Sequence, residues 1–463
     1  MFIFFYSLYA IILYHIILKM YSLSKLKASQ KIIFSILLSL IPISFIAGNL
    51  IINLNIVLFI IFALLLFGKK IFDIKYYILD KLIFSYFILI LLTGIYNDYN
   101  LFINYNDYSL FRGSYETTIK SIFFLRYFLL FIIIRYLVEK NLINFKIFFI
   151  VSAIASIFVS LDIFYQLVFG KDIFGYEIDP IFRKLGGPFG DEYIAGGFIQ
   201  RFSLFAFFIV PIFYTKQSKK VNYFFIPILL IIFLMGIILS GNRMPLILFL
   251  FTLSLVFIFE VREKKFFFPL IALSVITFLI FFNFNSKVNN NIKEFYITAS
   301  NLISVPIELN KNKSISSLPA DVPYLSEFIS FYDTWLLNKT IGGGIKNFGF
   351  YCHDRPKVKM KFKCNLHPHN YYLEILTETG LVGFFIILII FLRSFYLSFY
   401  KKYFFNLDLK NNKLIIPFIF LFFMEIFPIK STGSFFTTGN ATYIFLILAI
   451  LIGLSRKQYS IEN

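Results

Sequence analysis

Apolar runs long enough to cross a lipid bilayer recur along almost the whole chain, and nothing else in the sequence restricts its fold as strongly. A spanning helix needs roughly 20 apolar residues, at about 1.5 Å of rise each, to cross about 30 Å of hydrocarbon. Reading such runs between polar breaks places helices at 2–18, 32–47, 50–67, 78–95, 121–138, 145–169, 197–214, 222–240, 244–259, 266–283, 380–399, 414–428 and 438–454. They predict an all-α, polytopic transmembrane bundle of about thirteen spans. Twelve spans with one re-entrant hairpin fit as well, because the run at 32–47 is short and contains Pro42. Only 15% of the 463 residues are charged, against about a quarter in soluble domains. Neither a signal peptide nor a single anchor accounts for the recurrence.

A net charge of +19 would point to nucleic acid in a soluble protein, so the positions of the charges matter. They cluster in short loops: Lys19, Lys25, Lys27 and Lys31; Lys69, Lys70 and Lys75; Lys216, Lys219 and Lys220; Arg262, Lys264 and Lys265; Lys401, Lys402, Lys410 and Lys413; Arg456 and Lys457. Short basic loops mark the cytoplasmic side, because Lys and Arg resist translocation. The charge thus reads as topology, with membrane lipid and not nucleic acid as the partner. Segments 96–120, 170–196, 241–243, 284–379 and 429–437 then fall together on the other side.

The chain divides into N-terminal membrane helices (1–283), one long external segment (284–379) and C-terminal membrane helices (380–463). The external segment is too long for a connecting turn, and such loops usually carry function. Within it, Leu325, Phe328, Ile329, Tyr332, Trp335 and Leu336 have near-helical spacing, which predicts a short amphipathic helix from Pro323 to Leu337. The two cysteines, Cys352 and Cys364, both lie in this segment, where a disulfide closing a short loop suits an exterior location.

The segment ends in His367-Pro368-His369-Asn370, nine residues, then Gly380 and Gly383 leading into an apolar run. Asn370 is a good N-cap, residues 371–379 read as a short helix, and Gly380 can turn left-handed at its end. His369 therefore stands at a helix N-terminus, where the partial positive charge disfavours imidazolium and keeps the ring able to accept a proton. The same helix end offers N–H groups to a phosphate.

Two arginines belong to the same side: Arg183, in a loop that continues through Gly186-Gly187-Pro188-Phe189-Gly190-Asp191-Glu192, and Arg243, in the tight turn Ser240-Gly241-Asn242-Arg243. Planar guanidinium groups suit bidentate binding of a diphosphate. Asp191, Glu192, Glu378 and Asn370 are secondary candidates for substrate contact. Asp162 and Gln166, one turn apart, read as interhelical hydrogen-bond partners. Glu425 is an intramembrane carboxylate without an evident partner and is functionally suspect for that reason.

Together these residues resemble the O-antigen ligase/O-antigen polymerase superfamily. The resemblance is carried by His369, Asn370, Gly380 and Gly383, by Arg183 with the glycine-rich loop after it, and by Ser240 to Arg243. Gly342-Gly343-Gly344 to Phe348 and Pro428 to Phe436 agree in order, so the likeness runs from about 160 to 440. It implies a metal-independent, cofactor-free inverting glycosyltransferase in the bacterial inner membrane, with its site on the periplasmic face. By the resemblance His369 is the base. Arg183 and Arg243 would hold the diphosphate of a polyprenyl-linked (undecaprenyl-diphosphate-type) glycan donor, and the acceptor is a glycan or lipid-linked hydroxyl. Where ligases often carry two threonines after the second glycine, Phe384 and Phe385 stand here, which favours polymerase over ligase.

Two rival readings use the same residues. Cys352, His353, Cys364, His367 and His369 are zinc-ligand types, but no close Cys-x-x-Cys or His-x₃-His pair occurs among them. A membrane transporter or lipid-linked oligosaccharide flippase would also be a many-spanning bundle with a few buried charges, yet carriers place their polar site near the midplane.

Overall fold

The computed structural model describes residues 27–104, 116–178, 184–214, 218–260, 267–284, 323–352, 368–404, 413–428 and 433–456, with isolated positions 289–290, 293, 296–297, 300, 364 and 430. The expected helix 2–18, Arg183, His353, His367 and nearly half of the external segment lie outside them.

The described residues form an all-α bundle. In chain order the helices are α1 (Lys27–Ala47), α2 (Asn49–Phe67), α3 (Ile78–Asn104), α4 (Glu116–Glu139), α5 (Phe145–Phe169), α6 (Ala195–Phe202), α7 (Leu204–Phe213), α8 (Ser218–Leu239), α9 (Arg243–Glu260), α10 (Phe267–Phe284), α11 (Pro323–Leu337), α12 (Phe348–Tyr351), α13 (Tyr371–Phe395), α14 (Ile416–Glu425) and α15 (Thr438–Arg456). Among the described residues nine runs are long and apolar enough to cross a membrane, with α6 and α7 forming one of them. The doubtful stretch at 32–67 resolves into two full-length helices, α1 and α2, joined at Gly48. The expected helix at 414–428 is shorter in the structure. The ten residues of α14 rise only about 15 Å, half the hydrocarbon thickness.

Helix α15 is buried around its whole circumference from Ala441 to Leu454 and forms the centre of the bundle. A helix that is apolar on every side belongs in such a position. Lipid tails are as apolar as the core, so close packing must hold helices together, and here phenylalanine supplies much of it. Phe148 meets Phe205 edge-on at 4.9 Å, and Phe87 approaches Phe445 of α15 to 5.0 Å.

Polar contacts sort the loops into two ends. At the basic end, Arg135 of α4 lies 2.6 Å from Asp80, which also receives Arg456 at 2.8 Å, while Arg135 reaches the backbone of Lys75. Glu260 and Tyr403 bond at this end too. At the opposite end, the motif end, Asn97 donates to Gly342, Asn242 accepts from Gly196, and Asn370 donates to Pro428. Helix direction alternates consistently between the two.

Candidate active site

The motif helix begins as its residues dictate. Asn370 takes an extended conformation, and its side-chain oxygen accepts from the N–H groups of Tyr372 (3.0 Å) and Leu373 (3.1 Å). Its amide donates to the carbonyl of Pro428 at 2.8 Å, and the Tyr372 hydroxyl donates to the carbonyl of Ile426. The cap thus binds the helix start to the segment leaving α14. His369 immediately precedes it with φ 52, in the left-handed region. That conformation costs a non-glycine residue roughly 1–2 kcal/mol, and such strain gathers at functional positions. The imidazole is held below its ordinary pKa of 6.5, first by partial burial and then by the Lys184 ammonium. The neutral ring expected from the helix dipole therefore has a different principal cause.

Lys184 brings the glycine-rich loop to this histidine. Arg183, its neighbour, lies outside the described residues. The loop is organised by the end of α5: Asp162 accepts from the Ile173 N–H at 2.8 Å and Gln166 from the Gly187 N–H at 3.0 Å. Both side chains were expected to bond between helices; they hold loop backbone instead, because the loop folds back over the helix that precedes it. Asp191 and Glu192 are exposed at its end.

The arginine-bearing turn is fixed against the same region. Asn242 accepts from the Gly196 N–H and donates to the Tyr193 carbonyl, both at 3.0 Å. A Cβ on Gly196 would fall 2.5 Å from the Ser240 hydroxyl, so only glycine permits this approach. Arg243 consequently opens α9 beside the first turn of α6. A cation at a helix N-terminus opposes the macrodipole, by about 0.3–1 kcal/mol at exposed sites. Helix stability is not what favours arginine there.

Beneath these loops lies a buried charged cluster. Arg201 of α6 grips Glu425 of α14 by two bonds, Nη2 to Oε1 at 2.6 Å and Nε to Oε2 at 3.1 Å. Its Nη2 also donates to Asn440 (2.6 Å) and Tyr371 (3.2 Å), and the guanidinium lies over the Tyr443 ring. Lys430 lies 2.6 Å from the other side of Glu425 and 5.3 Å from the centre of the Tyr371 ring. Burial pushes its amine down to about 7. Tyr371 is the first residue of the motif helix, so the cluster and His369 share one element. Arg201 and Lys430 escaped the sequence reading, while Glu425 did not. The signal was present: Arg201 also interrupts an apolar run, and two opposite charges in separate runs can pair.

Glu378 plays a different part from the one expected. It is fully buried, and its carboxylate accepts from the Lys346 N–H at 2.8 Å, away from any surface open to a sugar. It belongs to a clasp in which Gly343 and Gly344 donate to the carbonyls of Thr377 and Glu378, while Leu381 and Val382 donate to those of Lys339 and Thr340. At the centre of the clasp α13 is interrupted at Gly380, with φ 65. Cys352 and Cys364 are joined, with Cα atoms 5.7 Å apart. Cys352 packs with Phe331, Phe348 and Leu373, which ties the disulfide to the motif helix. Among the described residues no group of three or more metal-ligating side chains gathers.

No curated protein matches the chain. Residues 228–388, which include Arg243, the glycine clasp and the His369 motif, match the family described as O-antigen ligase. That segment is similar to the O-antigen ligase family, which supports the O-antigen ligase/polymerase superfamily for the chain.

Proposed function

We propose that the protein transfers a glycan from a polyprenyl-diphosphate carrier to a sugar hydroxyl at the periplasmic face of the bacterial inner membrane. The observation that carries this reading is the convergence on one end of the bundle of a half-buried, uncharged His369 with Lys184, the Arg243 turn and the capped start of α13.

His369 takes the proton from the acceptor hydroxyl as that oxygen attacks the anomeric carbon. The bond to the diphosphate breaks, and the configuration at the anomeric carbon inverts. Arg183 and Arg243 stabilise the negative charge that grows on the departing diphosphate. General-base help contributes about 10²–10⁴-fold, and leaving-group stabilisation a comparable factor. The histidine, the arginines and the helix end supply these functions without a metal. Asn370 shapes the helix end that faces the donor, Asp191 and Glu192 contact sugar hydroxyls from the exposed end of their loop, and Glu378 supports the loop.

Polymerisation is the favoured form of the reaction, on the Phe384-Phe385 pair that follows Gly383. Incubating the protein in nanodiscs with a polyprenyl-diphosphate-linked repeat unit and a chelator tests the reading. Longer carrier-linked glycans are expected. Transfer only to a lipid or protein acceptor would make it a ligase, and no transfer in either format would overturn the reading.

A further inference from the structure

The buried cluster of Arg201, Glu425 and Lys430 has two cations and one anion. Each member is held by its neighbours: Glu425 takes two bonds from Arg201 and one contact from Lys430, and Arg201 donates further to Asn440 and Tyr371. Among the described residues the charged groups in contact with Glu425 are these two, so its carboxylate balances one cation and not both. A surplus charge away from water is costly unless a counter-ion meets it. Yet Glu425 and Lys430 are almost wholly buried, at 1% and 3% side-chain exposure.

One donor group of the arginine is unused. Arg201 engages Glu425 through Nε and Nη2, and among the described residues nothing bonds its Nη1. The residue keeps 12% of its side chain exposed. It lies five residues, about 7.5 Å of helix rise, from Gly196, which touches the Arg243 turn. On the other flank it touches Tyr371, two residues after His369. Glu425 is the last residue of α14, close to the Pro428 carbonyl that Asn370 holds, so the cluster sits at the same end of the bundle as Lys184, Arg243 and His369.

We infer that Arg201 and Lys430, with Glu425 as their internal counter-ion, form a second cationic subsite for the diphosphate of the lipid-linked donor, at the same end of the bundle as Arg243. This rests on the donor proposed above. Arg201 offers a planar fork to phosphate oxygens, and Lys430 adds a point charge. Glu425 and Tyr371 fix the fork's orientation before the donor arrives. Because burial disfavours the Lys430 ammonium, the groups facing it (Arg201, Glu425 and Tyr371) leave its charge dependent on the anion, and diphosphate binding restores the proton.

The test is binding of radiolabelled inorganic pyrophosphate to the full-length protein in zwitterionic nanodiscs at slightly acidic pH. Arg201→Gln and Lys430→Met each bring the cluster to neutrality and are expected to weaken binding about tenfold or more. The double variant Glu425→Gln/Lys430→Met restores a single positive charge and is expected to bind within a few-fold of the unaltered protein. A purely structural cluster gives the opposite ranking, with the double variant at least as impaired as Lys430→Met, and that result overturns the inference. So does unchanged binding in both single variants. Adding phosphatidylglycerol to the nanodiscs separates the sources of phosphate: displacement of pyrophosphate by the lipid would assign the subsite to a headgroup and not to the donor. His369→Ala is expected to bind pyrophosphate normally, so failure of the base assignment leaves this outcome readable.

Discussion

Arg201 and Glu425, 224 residues apart in the chain, meet in a two-point ion pair that joins the helix after the glycine-rich loop to the segment on which the motif helix starts. The pair fixes the depth of α6 relative to α13 through Tyr371, whose hydroxyl donates to the same carboxylate at 2.9 Å. Removing one partner of a buried pair strands the other and costs about 3–5 kcal/mol. Glu425→Ala is therefore expected to lower resistance to chemical unfolding sharply, and Glu425→Gln, which can still accept from Arg201 and Tyr371 but no longer neutralises Arg201, to lower it clearly though by less. Stability of both variants in nanodiscs equal to that of the unaltered protein would show that the carboxylate is not the anchor.

The pH dependence of transfer follows from His369. Its pKa is depressed, so the basic form persists below 6.5 and the acid limb of the rate profile lies under that value. Lys184→Gln removes the neighbouring positive charge and leaves the burial, so the limb moves upward towards, but not past, the ordinary histidine range. A pH–rate profile of the two proteins checks this. An unshifted limb would place Lys184 too far away to act.

Gly380 is irreplaceable on steric grounds. Its φ is 65, and a Cβ there would lie 2.2 Å from the Thr340 carbonyl oxygen, a backbone atom that cannot turn aside. Gly380→Ala is expected to abolish accumulation of folded protein. Gly197 in α6 has open space around it, so Gly197→Ala is expected to be tolerated or to stabilise by up to about 1 kcal/mol. Fluorescence-detected size exclusion of both variants separates the two outcomes.

The disulfide closes a loop with a sequence separation of 12, for which chain-entropy arguments give about 3 kcal/mol. Cys352→Ser/Cys364→Ser is expected to melt several degrees lower, and thiol labelling of the native protein in intact cells is expected to find neither cysteine reactive. Rapid labelling of both would contradict an oxidising, external location.

Much of this arrangement was legible in the residues. The limits of α5, the cap at Asn370 and the break at Gly380 depend on local hydropathy, side-chain chemistry and backbone freedom, all of which a short window contains. Arg201, Lys430 and the burial of Glu378 were not legible in the same way. A single charge scarcely alters the hydropathy of an apolar run, and the partner of Arg201 lies 224 residues away. Glu378 read as a candidate for substrate contact because nothing local reveals that the backbone of Lys346 covers it. The half-length of α14 was also hidden, since Ile426 and Phe427 continue the apolar run up to Pro428.

The most direct test of the central claim is the transfer rate of His369→Ala with a lipid-linked glycan donor, measured beside its pyrophosphate binding. The account predicts a fall of about 10²–10⁴-fold in transfer, with insertion and pyrophosphate binding retained. Full transfer activity in the folded variant would contradict it.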